Sequence, residues 1–339
     1  MHFRYSLRRP VCVVAMVGVG LCVHSACQRA GTLRVEGKQE ITESAPLDPE
    51  NLKPEAVSLF GKPLHAPALD AEVRAKREHE LEDATVEYDR DPHDADAIIW
   101  LGRRQAYLGR YQDAINTFSN GLALDPDNPK LLRHRGHRYV TTRQFGRALA
   151  DLVRAAALIE NQPDETEPDG QPNKQNIPTG TLHTNIYYHL GLVRYLMGDY
   201  SGASEAYRKC LGASRNDDMR IAAAYWQYLT LRRLNQPAYA AQLLAAISLD
   251  MNIIENSSYH RLLLMFKGEL QPDQLSPTAS DGQPIDIDAA TLGYGTGAWR
   301  LLNGDESKAT DEFRRVVENT NWAAFGHIAA EVELATPRD

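Results

Sequence analysis

ADAIIWLGRRQAYLGRYQDAINTFSNGLALDPDN, residues 95–128, is followed without a break by PKLLRHRGHRYVTTRQFGRALADLVRAAALIENQ, residues 129–162. Laid over one another, the two segments put Gly102 on Gly136, Tyr111 on Phe145, Ala114 on Ala148 and Phe118 on Leu152, each pair 34 residues apart. A self-similarity of that period is the mark of a stacked repeat, in which one unit cannot bury its apolar face alone and its neighbours supply the rest of the core. The working product of such a stack is a surface.

Within the first unit Ile98, Leu101, Gly102 and Ala106 recur at helical spacing, Gly109 interrupts, and Ala114, Phe118 and Leu122 resume the period up to Asp125-Pro126. That pattern predicts a helix, a tight turn and a second helix. Small residues at 102 and 114 let the two helices approach, and Tyr111 and Phe118 are expected to fill the space between one hairpin and the next. Leu101-Gly102, Ala114, Phe118 and Pro126 resemble the tetratricopeptide repeat. The resemblance implies an all-α, right-handed superhelix of helical hairpins. The second copy departs from the pattern at Arg143, where a turn glycine is usual.

Outward from this pair, Leu69 to Tyr88 reads as a charged amphipathic helix, and Pro92 stands 34 residues before Pro126. Residues 69–92 are therefore expected to cap the stack as the second helix of a degenerate unit. Residues 163–183 break the period with a polar insertion whose early part, Asp164, Glu165, Glu167 and Asp169, is acidic; the simplest expectation is a solvated excursion. The repeat resumes over 184–217 with Gly191, Gly198, Tyr200, Ala203 and Tyr207 in register. Residues 218–287 keep helical character without the signature. Residues 288–339 carry a last, degenerate copy with Gly297, Gly304, Ala309 and Phe313, then a capping helix from Trp322 to Leu334.

The N-terminus has export-signal grammar: Arg4, Arg8 and Arg9, an apolar run from Val11 to Val23, then Ser25-Ala26-Cys27. Two readings of residues 1–27 stay open. In one, Cys27 is lipidated as in a bacterial lipoprotein; in the other, the leader is cut near Ala26 or Ala30 and the product is soluble and exported. Residues 28–68, rich in Gly, Pro, Glu, Ser and Lys, read as a flexible tether with one apolar spot, Val57 to Phe60, expected to dock on the first helices.

With 43% hydrophobic and 24% charged residues, the chain has the composition of a folded domain. Its net charge of −8, less the leader's three arginine charges, is −11, which argues against a general nucleic-acid binder. Of four cysteines, three lie in or at the end of the leader, and Cys210 falls in the small-residue slot of Gly121 and Ala155, so no disulfide framework follows. No spacing typical of a hydrolase, phosphate loop or metal site is present, and neither a catalytic residue nor a cofactor is expected. Gly293 to Gly297 is glycine-rich but lacks the strand that dinucleotide binding needs; close helix packing is the expectation.

In tetratricopeptide proteins the first helix of each hairpin lines the concave face. Carried onto this chain, that implies a basic and aromatic groove of Arg103, Tyr107, Lys130, Arg133, His137, Tyr188, Tyr195 and Trp226, suited to an acidic or carboxylate-ended protein segment. The alternative is that these side chains merely solvate a helix face. Two clusters could suggest a metal, His134 and His137 with His189, and Asp91, Asp94 and Asp96 at a helix start; none is expected at either, the carboxylates being suited to the exposed amides of the helix start. The family's two-carboxylate chaperone clamp is not matched, since Ile99, Arg103 and His134 stand at its positions.

The layout also resembles bacterial tetratricopeptide lipoproteins of NlpI type, through Trp226 to Leu229 with Leu234, Lys267 to Leu270, and Trp299 to Asp305 leading into Ala309 and Phe313. That resemblance implies an adaptor in the periplasm or on the outer membrane, touching the membrane only through a lipid anchor. It implies gathering an envelope protease or peptidoglycan hydrolases, and a homodimer. The competing readings are a structural subunit that uses the convex face, and an enzyme with a site in the divergent region.

Overall fold

The computed structural model describes residues 53–277 and 285–336; the leader and Cys27 lie outside them. Thirteen α-helices are present among the described residues. They are α1 (Ala71–Arg90), α2 (Ala95–Tyr107), α3 (Tyr111–Leu124), α4 (Pro129–Thr141), α5 (Phe145–Leu158), α6 (Leu182–Leu196), α7 (Tyr200–Ala213), α8 (Asp217–Arg233), α9 (Pro237–Ala245), α10 (Ser257–Lys267), α11 (Ile285–Leu302), α12 (Glu306–Asn319) and α13 (Phe325–Ala335). Successive pairs from α2/α3 to α8/α9, and then α11/α12, form hairpins. Each packs on the next, with α1 against α2 at one end and α13 against α11 and α12 at the other.

The glycine and aromatic slots of the repeat mate inside each hairpin. A side chain at Gly102 would run into the Phe118 ring, and a Cβ at Gly136, Gly191 or Gly297 would come within 2.8 Å of Leu152, 2.6 Å of Tyr207 or 2.6 Å of Phe313. Phe118 therefore packs within its own hairpin as well as filling the space toward the next. Its ring sits first on Gly102 of its own hairpin, and its other side stacks on His134 of the following one at 5.6 Å. Gly293 and Gly295 in α11 admit Val316 and Leu262 in the same way. Cys210 is fully buried, with Sγ 3.4 Å from the Thr184 carbonyl, and burial pushes its thiol up to about 12, so it packs and does not react.

The turn between the two helices of a hairpin needs a left-handed residue. Gly109, Gly198 and Gly304 supply it at φ 78°, 79° and 85°, but the second hairpin uses Arg143 at φ 61°. A non-glycine residue there is strained. Contacts of the side chain offset the strain. Arg143 Nε and NH2 donate to Glu331 Oε2 at 2.8 and 2.7 Å, NH2 also donates to the Trp322 carbonyl at 2.8 Å, and NH1 donates to Thr141 at 2.6 Å. Both side chains of this ion pair are almost wholly buried, at 3% and 1% exposure. The pair ties α13 to the middle of the stack.

The same knot holds the N-terminal segment. Residues 56–64 form a short antiparallel hairpin, with Ala56 opposite Leu64, so the expected tether stops well short of residue 68. The Leu59 amide donates to Glu331 Oε1 at 2.8 Å, the Trp322 indole donates to the His65 carbonyl at 2.7 Å, and Glu55 accepts from the Gln112 amide at 2.8 Å. Val57 and Phe60 face solvent.

Removing one member of a buried pair strands the other charge, so Glu331→Ala is expected to lower the unfolding free energy by about 3–5 kcal/mol. Asp127→Ala removes the exposed partner of Arg154, where the side chains are 65% and 50% exposed, and is expected to change it by less than about 1 kcal/mol. Urea denaturation followed by circular dichroism compares them; equal effects would mean the buried pair does not hold the closure.

Candidate functional site

The start of α4 is fixed by Asn128, whose side chain accepts from the Lys130 and Leu131 amides, and by Pro129 in the first turn. From that start Leu131, Leu132, Gly136, Tyr139 and Val140 go into the core, and Lys130, Arg133 and His137 follow at spacings of three and four along another face. On α2, Arg103 and Tyr107 lie one turn apart, with Arg103 Nε donating to the Tyr107 hydroxyl at 3.3 Å. These residues border the concave side. There a cleft of about 480 Å³ is enclosed between α2, α4, α6, α8, α10, α11 and Phe325 of α13.

The insertion at 163–183 lies along this basic wall. It is a folded part of the site, which corrects the expectation of a solvated excursion. Thr166 bridges Thr181, the Glu167 amide donates to the Gly180 carbonyl at 3.2 Å, and the Leu182 amide donates to the Glu165 carbonyl at 2.9 Å. Lys130 Nζ stands 3.1 Å from Glu165 Oε1, and Arg133 NH2 stands 3.0 Å from Glu167 Oε2. Arg103 NH1 donates to the Pro168 carbonyl and Arg104 NH1 to the Gly170 carbonyl, both at 2.9 Å. Gly170 is buried so tightly against the Tyr107 hydroxyl and the Arg103 guanidinium that a side chain there would collide with both.

Glu167 is the centre of the arrangement. Burial pushes its carboxyl up, but the Arg133 guanidinium, the His134 ring and the Asn185 amide outweigh that and hold it well below the usual carboxylate range. His134 is neutral, since burial and the adjacent Arg133 bring its pKa down to about 3. Its tautomer follows from its partners. Arg133 NH1 donates to Nδ1 at 2.9 Å, so Nε2 carries the proton and faces Glu167 Oε1 at 3.5 Å. His137 is also kept neutral, by burial and by Arg138, whose guanidinium donates to Nε2 at 2.6 Å. His189 donates from Nδ1 to the Asn185 carbonyl at 2.6 Å, and its ring centroid lies 4.3 Å from that of His137. Among the described residues no group of three or more His, Cys, Asp or Glu is placed to hold a metal ion.

The far wall of the cleft is acidic. Asp218 accepts from the Ile254, Glu255 and Asn256 amides at 2.6, 2.8 and 2.9 Å, which fixes the chain leading into α10 and presents Glu255 to the cleft. Glu255 in turn accepts from Asn173 at 2.6 Å and from Thr179 at 3.3 Å. Asp169 stands nearby with Oδ2 buried and without a hydrogen-bond partner. Burial and the Glu255 carboxylate push its carboxyl up to about 6.

Of the eight groove residues expected from sequence, Arg103, Tyr107, Arg133 and His137 line the cleft together, Lys130 sits at its rim on Glu165, and Tyr188 reaches it with its ring mostly covered. Tyr195 and Trp226 do not. They are 3% and 1% exposed, with the Tyr195 hydroxyl 2.8 Å from that of Tyr294 and the Trp226 indole donating to the Tyr188 hydroxyl at 2.9 Å. The reason is that α10 and α11 pack over the face of α8 that would be concave in a regular repeat. The sequence carried a signal of this, since Ile221 to Leu231 is apolar or small on every side except Gln227 and Thr230, as in a helix buried all round. Arg104, Glu167, Asp169 and Glu255 were not placed in the site from sequence. For Glu167 and Asp169 the clue was an acidic run in the same chain as a basic groove.

Residues 184–217, which span α6 and α7, match the sequence model of the family described as Tetratricopeptide repeat. No curated protein matches the chain. Among solved structures, it is similar to a tetratricopeptide repeat protein from Parabacteroides merdae, at 16% identity over 77% of this chain and 98% of that one, with a TM-score of 0.44. It is also similar to YrrB, a tetratricopeptide protein described as having an unusual peptide-binding site, at 14% identity over 74% and 96% with a TM-score of 0.41. A third likeness is to PilF of Pseudomonas aeruginosa, at 16% identity over 72% and 85% with a TM-score of 0.42. The fold is the all-α superhelix of tetratricopeptide type, with α1 and α13 capping its ends.

Because its folded pKa lies above the ordinary value of about 4, Asp169 favours the folded state when protonated; that contribution is complete below about pH 4 and is lost as pH rises through about 6. Asp169→Asn is therefore expected to stabilise the protein at pH 7.5, by on the order of 1 kcal/mol. The gain should shrink toward pH 4.5. Thermal denaturation of both proteins at the two pH values reads this, and a gain independent of pH would refute the assignment.

Proposed function

We propose that this protein is a non-catalytic scaffold that binds protein segments on its concave face. The observation that carries the reading is what already lies on that face, a stretch of this same chain held as a peptide would be held. Arg103 and Arg104 take the carbonyls of Pro168 and Gly170, while Lys130 and Arg133 take the carboxylates of Glu165 and Glu167. Guanidinium groups fixed by packing suit acidic segments, because they form charge-assisted bonds with little further loss of side-chain freedom.

The export grammar of residues 1–27 and the likeness of the layout to NlpI-type lipoproteins support a place in the bacterial envelope, anchored through Cys27 or released into the periplasm. The same likeness supports proteases or peptidoglycan hydrolases of the envelope as clients, and a homodimer as the working form. A second reading, a structural subunit docking through its convex side, draws on Tyr239 in the first turn of α9 and Leu249 in the turn beyond it, which stand 63% and 70% exposed.

A photo-reactive amino acid in place of Arg103, compared in living cells with one in place of Tyr239, separates these readings. The scaffold reading expects cross-linked partners from position 103 and few from 239, and the reverse pattern would favour the convex face. The anchor is tested independently by Cys27→Ser, which is expected to move the protein from the membrane fraction to the soluble envelope fraction. An unchanged distribution would leave the plainly cleaved form.

A further inference from the structure

We propose that residues 164–171 are an internal occupant of the concave face, standing where an acidic protein segment binds, so that a partner enters by displacing them. This rests on the concave face being the binding face, and adds how that face is kept closed and what opens it.

Three observations carry it. First, charge: the cationic side chains that face the insertion from α2 and α4, namely Arg103, Arg104, Lys130 and Arg133, all spend contacts on it, so this basic wall is already filled. Second, the mode of contact is one a different chain could reproduce. Two of the four contacts are to main-chain carbonyls, which any peptide offers, and the other two are to glutamates spaced i, i+2, which point to one side of an extended strand. The groove therefore fits an extended Glu-x-Glu segment followed by a close backbone approach at the position of Gly170. Third, this stretch belongs to neither neighbouring hairpin. It interrupts the 34-residue period between α5 and α6, whose packing on each other does not run through it. Asp169, which shares the cleft with the like-charged Glu255 and has a buried oxygen without a partner, is a weak point in its seating.

A tethered occupant acts at an effective concentration of about millimolar or more, so it suppresses a free competitor without binding tightly itself. The probe is a fluorescent peptide of the sequence of residues 164–171, DETEPDGQ, titrated by anisotropy into the mature full chain. Two variants release the occupant from opposite ends: Gly170→Val, whose side chain collides with Tyr107 and Arg103, and Glu165→Lys with Glu167→Lys, which sets like charges against Lys130 and Arg133. Neither replaces a residue of the basic wall on α2 and α4. Hydrogen exchange over 164–182 and circular dichroism accompany each.

The expected result is release of this segment with the helical signal retained, and peptide binding at least tenfold tighter in both variants than in the wild type. Equal, saturable binding to all three proteins would overturn the occlusion while leaving the binding face intact. A segment that stays protected in both variants, or whose release melts the helices, would overturn it as a fixed part of the fold. Release without peptide binding would overturn it too, and the cross-linking from position 103 then decides whether the concave face binds segments of another chemistry.

Discussion

The buried pair of Arg143 and Glu331 is the constraint on which the rest of the architecture turns. A stack of helical hairpins is open at both ends, and its inner face is as wet as its outer one unless something brings distant parts together. Here a carboxylate from α13 accepts from a guanidinium at the second inter-helix turn, 188 residues away, and from the Leu59 amide of the N-terminal hairpin. Two charges this deeply buried are costly to desolvate, and they persist because both Glu331 oxygens and all three Arg143 guanidinium nitrogens are hydrogen-bonded. The interaction specifies a meeting point. Trp322 joins it with an edge-on contact to Tyr111 at 5.3 Å and lies under the Arg143 guanidinium at 5.3 Å.

That closure shapes the inner face. It carries Phe325 onto the concave side, against His137 at 5.3 Å and His189 at 5.8 Å, and with α10 and α11 over α8 it reduces an open groove to a cleft. Charges inside the cleft are consequently poorly hydrated. Arg133 is 11% exposed and Glu167 9%, and in such surroundings a cation without a partner is expensive. The neutral histidines follow from the same cause, burial beside arginines.

The hairpins, their period and the end caps were legible because they rest on local periodicity, and slots such as Gly102 and Phe118 meet within one hairpin. What could not be read were contacts set by closure. Arg143 looked like a defect in the repeat, a turn without its glycine, and turns out to be the residue that makes the closing contact; nothing near it in the chain announces Glu331. The basic residues of α2 and α4 were placed together on one face through the tetratricopeptide resemblance, which says which helix of each hairpin turns inward, and the structure brings Arg103 and Arg133 to one cleft. Tyr195 and Trp226 were misplaced because the regular repeat was extended into α8, where covering helices replace solvent. The acidic insertion was visible as composition, but its position required knowing which surface passes over α4.

The same burial sets what the cleft can accept. Arg133 retains one unpartnered buried nitrogen, Nε, even with Glu167 in place, so the site has little capacity to tolerate a segment that brings no carboxylate. A neutral peptide that displaced residues 164–171 would gain the carbonyl contacts of Arg103 and Arg104 but leave Arg133 buried and unpaired, at a cost of about 3–5 kcal/mol, or more than a hundredfold in affinity. If the concave face binds acidic segments as proposed, discrimination against neutral ones would come from the burial of the Arg133 guanidinium more than from attraction at the rim. On this view Glu167 does for the empty protein what a partner's carboxylate does for the complex: it keeps a buried cation satisfied.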